Sequence, residues 1–255
     1  MSNCCMLKEH FPLIRDREEI LQEIRSNPVL SETYGTWNTE RREEFLGFCT
    51  GVKGMKVLYY SFFKEALNYE YDESRLEFFL CTMLKKKVKI LRILPNDSTR
   101  IADEATLLIT DIIVELEDGS IANVEIQKIG YAFPGQRCAC YSADMLLRQY
   151  KRVRSRMGKS FSYHNIKNVY LIVLYEKSPK EFKKLPGTYY HYGRQIFDSG
   201  LEMDMLQEFI MIPLDIFKKH MHNKAIETDL EAWLTFLSED RPEKIIELIA
   251  AYPVF

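Results

Sequence analysis

The sequence predicts an α/β fold in which three strands precede one long helix and a further strand follows it, and three observations carry that expectation. Two β-branched runs, Leu107 to Leu116 and Ile121 to Ile129, flank Glu117-Asp118-Gly119-Ser120, the pattern of a β-hairpin. From Gln136 to about Met157 the periodicity is helical, and Gly158 closes it. Val169 to Tyr175 is wholly apolar, as a strand covered on both faces must be.

Taken in chain order, the first expected elements are two helices, Arg17 to Ser26 behind Asp16 and Glu40 to Cys49 behind Asn38. In each case the preceding side chain supplies an acceptor for the unpaired N–H groups of the first turn. A third helix follows the caps Asp72 and Ser74, with Leu76, Phe79, Leu80, Met83 and Leu84 at helical spacing. Val88 to Leu94 alternates as a short strand, and the hairpin comes next. Pro134 and Gly135 stop the sheet, and the helix after them carries Cys140, Ala143, Leu147 and Tyr150 as its expected apolar stripe. Beyond Tyr175, Phe209 to Leu214 reads as a strand, and Asp215 to Met221, Glu227 to Leu237 and Arg241 to Ala251 read as helices. The expected organisation is a helical cap over residues 1–60, a main domain over 61–220 and a C-terminal helical segment over 221–255. The apolar end Tyr-Pro-Val-Phe255 is also compatible with a longer chain.

The bulk properties narrow the function classes. The 255 residues are 46% apolar and 13% aromatic, enough for a sizeable core, and the formal net charge is -2. A nucleic-acid site would therefore be a local patch rather than a property of the whole surface. None of the six cysteines forms a C-x-x-C pair, which argues against a structural zinc site. The longest apolar stretch, Val169 to Tyr175, falls far below the ~20 residues of a membrane helix, so the expectation is a soluble, cytoplasmic protein.

Two carboxylates stand out because they interrupt apolar strands: Asp111 and Glu125. Burying an unpaired carboxylate costs several kcal/mol, so such groups are usually paired or bound to a cation. Magnesium takes one or two carboxylates and fills its shell with water and phosphate oxygens. Alternation places Gln127 on the same face as Glu125, and Lys128 on the other. The following helix region, Arg137 to Lys159, carries seven basic residues against the single acid Asp144. Arg137, Tyr141, Arg148, Lys151, Arg152 and Arg154 are the expected DNA-binding group, gripping phosphates without reading bases.

Plainer readings stand beside these. A run such as Lys151 to Lys159 is commonly a solvated helix face, and Asp111 and Glu125 would be ordinary if their strands faced water. Cys138-Ala-Cys140 reads as helix residues, His220-Met-His222 points its rings apart, and Tyr189-Tyr190-His191-Tyr192 reads as a folded loop.

Leu108-Ile-Thr-Asp111, Asp118-Gly119, Asn123-Val-Glu-Ile-Gln127 and Arg137-Cys-Ala-Cys-Tyr141 together resemble the PD-(D/E)XK nuclease family transposases, relatives of the bacterial recombination-promoting nucleases. The resemblance runs from about Tyr60 to Lys218. It implies a restriction-endonuclease-like core and DNA cleavage dependent on magnesium, with manganese as a substitute. It makes Asp111 and Glu125 metal ligands, groups Ile126 with them, and places Gln127 where the wider superfamily has lysine. It also suggests an acid on the first core helix, for which Glu77 is chosen over Glu73. DNA is the implied partner, and a homodimer is a compatible assembly. The rivals are a nuclease-fold protein that binds DNA without cutting it, motivated by the missing lysine, and a defence-type or toxin module acting through protein partners, motivated by the acidic balance.

One geometric condition follows. A two-residue turn at Asp118-Gly119 would set Asp111 opposite Ile126, so that Asp111 and Glu125 faced opposite sides of the sheet. A three-residue loop, Glu117-Asp118-Gly119, pairs Leu116 with Ser120 and Asp111 with Glu125. The shared site requires that second register, and with it a positive φ at Gly119, unless a β-bulge between Asp111 and Glu117 rescues the two-residue turn.

Overall fold

The computed structural model describes residues 14–54, 56–58, 60–95, 111–128 and 133–255, so the expected strand segments 107–110 and 129 lie outside the described residues. The chain divides into two compact units, residues 1–59 with 235–255, and residues 60–234.

In the first unit, α1 (Arg17–Ser26), α2 (Pro28–Gly35) and α3 (Thr39–Cys49) surround a small core of Ile20, Ile24 and Leu46, and α9 (Pro242–Ala251) belongs to the same unit. The helix α2 is unanticipated. Asn27 caps it by accepting from the N–H groups of Val29 and Leu30, and Pro28 sits where a missing N–H is harmless.

The second unit contains a six-stranded sheet in the order β1-β2-β3-β4-β6-β5. Its strands are β1 (Ile90–Ile93), β2 (Ile112–Leu116), β3 (Ile121–Gln127), β4 (Val169–Tyr175), β5 (His191–Arg194) and β6 (Gln207–Pro213). The helices of this unit begin with α4 (Tyr60–Ala66), absent from the sequence expectation, and α5 (Glu73–Leu84). The long α6 (Pro134–Met157) crosses over between the parallel strands β3 and β4, and α7 (Leu214–His220) and the start of α8 (Asp229–Ser238) follow. This mixed α/β arrangement matches the expected fold class. Pro134 opens α6 rather than merely ending the sheet, because a proline suits the first helical turn. His191 and Tyr192, expected in a loop, join the edge strand β5, where only one flank is hydrogen-bonded, to β6.

The hairpin adopts the register that the shared site requires. Ile112 pairs with Val124 and Glu115 with Ile121, Leu116 N–H donates to Ser120 O at 2.9 Å, and Gly119 N–H donates to Leu116 O at 2.9 Å. Gly119 has φ 86, a left-handed conformation, and a Cβ there would meet Lys167 Cγ at 3.3 Å. Glycine thus closes the three-residue loop at no steric penalty.

The expected apolar stripe of α6 is not the face it buries. Cys140 and Ala143 are exposed and Leu147 is 51% exposed, whereas Cys138, Tyr141, Ser142, Asp144, Met145, Gln149 and Val153 are buried. The reason is the sheet beneath: residues 111, 115, 123, 125 and 127 present polar groups on the face that α6 covers, and polar helix residues answer them. Gln149 does so at the hairpin end, donating to Gly119 O at 3.0 Å and accepting from Lys167 N–H at 2.6 Å. The opposite face of β4 is tied to the end of α5 by Lys86, whose ammonium donates to Tyr170 Oη at 2.5 Å.

Candidate active site

Period two from Asp111 places Ile113 and Glu115 on one face of β2, and the register sets Asn123, Glu125 and Gln127 on the same face of β3. β4 continues that face with Leu171, Val173 and Tyr175, paired in turn with Asn123, Glu125 and Gln127. Tyr141 and Cys138 of α6 close over them in one cluster. The slot between sheet and helix is therefore apolar on the β4 side and polar on the β3 side.

Asp111 and Glu125 are only 7% and 4% exposed. Asp111 Oδ2 accepts from Ile126 N–H at 2.7 Å, which fixes its carboxylate on the neighbouring strand. Burial pushes its pKa up, opposed by that hydrogen bond and then by the charges of Lys64, Arg137 and Lys128. Glu125 is pushed further, to about 8, by burial first and by the Asp111 charge second. Its Oε2 is buried with no hydrogen-bond partner among the described residues, and so are both amide atoms of Asn123 and of Gln127. Three successive positions on one strand face thus hold polar atoms that no described residue satisfies, and a buried polar atom without a partner costs of order 1–3 kcal/mol.

Arg137 and Tyr141 form the helical wall. Arg137 Nη2 donates to Tyr141 Oη at 2.5 Å, and its guanidinium lies 5.0 Å from that ring's centre. Tyr141 is fully buried, and burial, then the Glu125 charge, raise its pKa. It consequently belongs to the wall of the slot and offers no surface to DNA.

The structure does not bring the other expected residues here. Glu77 accepts from Ile90 N–H at 2.8 Å, and Ile90 pairs with Leu116 at the turn end of the hairpin. Asp111 lies five residues away along β2, about 17 Å at strand rise, so Glu77 holds the start of β1 and does not complete the carboxylate pair. Arg148 ion-pairs with Asp144 at 2.9 Å, and Arg152 lies 3.7 Å from Glu115, which Arg92 also engages at 2.6 Å. Those two arginines are committed to buried acids; Lys151 and Arg154 are exposed. Among the described residues no group of three or more His, Cys, Asp or Glu converges as a metal site, so of those residues the pair is what a cation here would rest on.

Two features escaped the sequence reading. Glu115 follows Asp111 at strand period on the buried face, a signal present in the alternation itself. Lys64, the first cation acting on Asp111, sits on α4; Phe63-Lys64 falls within the family resemblance, but neither the helix nor its link to Asp111 is read from the sequence.

A family model described as PD-(D/E)XK nuclease family transposase matches residues 60–255. No curated protein and no solved structure matches the chain.

Proposed function

Because the chain belongs to the PD-(D/E)XK nuclease family transposases, we propose that it is a DNA endonuclease that hydrolyses phosphodiester bonds with a divalent cation held by Asp111 and Glu125, in a mobile-element or recombination setting. One observation carries the reading: the hairpin register sets two buried carboxylates side by side, one with an oxygen that no described group satisfies. That donor set fits magnesium or manganese, which take a small number of hard oxygens and complete their shell from water and phosphate.

When bound, such a cation stabilises charge on the phosphate and makes water a better nucleophile. Asp111 and Glu125 supply the oxygens, and both must be ionised to do so. Ile126 offers only its main-chain carbonyl, since its N–H is already given to Asp111. Gln127, in the position of the superfamily lysine, is 1% exposed, and its amide, which has no partner among the described residues, would orient a water rather than carry charge. Arg137, steadied by Tyr141, and with it Lys64 and Lys128, whose charges also act on Asp111, would grip the scissile phosphate. Exposed Lys151 and Arg154 would hold the DNA backbone further along α6.

The enclosure of Gln127 favours one second reading, a nuclease fold that binds DNA without cutting it. Supercoiled plasmid separates the two. Wild-type protein is expected to nick or linearise it with magnesium or manganese and not with chelator, whereas Asp111→Asn and Glu125→Gln leave it intact. Cation-independent cutting, or full activity in either variant, would overturn the assignment.

A further inference from the structure

At the far end of α6 from Glu125, the surface changes character. Between Met145 and Tyr175 the chain carries no Asp or Glu. Arg148 and Arg152 are turned inward to their buried acids, and the outward cations are Lys151, Arg154, Arg156, Lys159 and, just before β4, Lys167. Among them stand three aromatic rings. Tyr150 and Tyr163 stack with centroids 6.1 Å apart at 18°, and Phe161 meets each edge-on at 5.5 Å. Arg154 donates to Tyr150 Oη at 2.5 Å and lies 5.7 and 5.8 Å from the centres of Tyr150 and Phe161.

Helix-end electrostatics account for Arg154 and Arg156, since cations are favourable in a last turn. They do not account for a tyrosine left 74% exposed on top of a ring stack. A folding role would bury Tyr163, whereas here Tyr150, Phe161 and Arg154 brace it and leave it largely in solvent. Rigid aromatic faces set among cations are the surface that unpaired bases use, the rings taking the base and the cations the phosphates.

We propose that Tyr163, backed by Tyr150 and Phe161, is a stacking platform for unpaired bases of a DNA strand whose phosphates are held by Lys151, Arg154 and Lys159. The proposal rests on the reading of the chain as a DNA-acting protein. It adds a substrate class to it: DNA with a single-stranded segment, bound at a place separate from the carboxylates.

The test is binding of the full chain, in chelator, to three fluorescent probes: oligothymidylate of about 12 nucleotides, within the usual site size of such grooves, an abasic strand of equal length and charge, and a blunt duplex. Wild type is expected to prefer oligothymidylate over the abasic strand by at least about fivefold, the lower end of what one stacked base contributes. Tyr163→Ala should bring that ratio toward one without moving the abasic or duplex affinities, and Tyr163→Trp should preserve it. A wild-type ratio near one with firm duplex binding would overturn the platform and leave the nuclease reading intact, as would a ratio unmoved in Tyr163→Ala. Failure to bind all three probes would remove the DNA reading and the platform together.

Discussion

Four buried acids lie between the sheet and α6, and the two ends of the helix treat them in opposite ways. At the turn end, Glu115 and Asp144 meet the guanidinium groups of Arg92, Arg152 and Arg148. At the other end, Asp111 and Glu125 are set against each other, and burial raises the pKa of both. Burial alone therefore does not mark a site in this chain. What distinguishes the second pair is like charge beside like charge, buried so far that Lys64, Arg137 and Lys128 do not offset the upward shift at Asp111, an arrangement that folding alone would not select.

The largest effect that sharpens this contrast is on cleavage. Asp111→Asn and Glu125→Gln should each lower the rate of plasmid cutting by at least about a hundredfold while leaving the melting temperature level or higher, since a neutral isostere removes a buried charge. A melting temperature that collapsed in both would mean the pair is structural. The reciprocal change is Glu115→Ala, which should cost about 2–3 kcal/mol by denaturant unfolding. That is below the loss typical of a fully enclosed pair, because Arg92 is half in water. Cleavage per folded molecule should be unchanged.

A smaller effect separates the basic residues of α6. Changing Lys151 and Arg154 to Ala should weaken binding to all DNA sequences alike and lower the slope of log affinity against log salt by about one per lost phosphate contact. Arg152→Ala should instead lower stability, through Glu115, and leave the slope in place. Equal slopes in all three proteins would return the exposed cations to a solvated face.

The mildest prediction is a dependence on pH. A carboxyl whose folded pKa is raised binds its proton more tightly when folded, so its contribution is fully present below the unfolded value and is lost as pH rises through the folded one. For Glu125 that window runs from the usual 4.5 to about 8. Without divalent cations the melting temperature should therefore decline by a few degrees from pH 5 to pH 8, and Glu125→Gln should flatten the decline. Magnesium should raise the melting temperature more at pH 8 than at pH 5, because it competes with protons for the same oxygens.

The hairpin was legible in the sequence because its register is a local matter, decided by loop length and by one residue able to take positive φ, Gly119. The succession of three strands, a long helix and a buried strand was legible for a similar reason, since runs such as Val169 to Tyr175 report burial directly. The buried face of α6 was not. Hydrophobic periodicity chose Cys140, Ala143 and Leu147, whereas a sheet with a polar stripe selected Ser142, Asp144 and Gln149, and that choice depends on what lies opposite. Glu77 failed similarly. It is a reasonable acid on a reasonable helix, but whether it reaches Asp111 depends on where α5 meets the sheet, and it meets it at Ile90. Short elements such as α4 and β5 are fixed by neighbours distant in sequence, and propensity says little about them.

The polar row on β3, which no described residue satisfies, has a consequence for how such a chain changes over generations. Most substitutions lower stability, but at Asn123, Glu125 and Gln127 the reverse is expected, since apolar residues of similar size would relieve the interior. A lineage drifting under selection for a folded product alone would replace these residues readily. A sequence with polar residues at these three positions carries a load of instability, one that the chemistry proposed for Asp111 and Glu125 would account for.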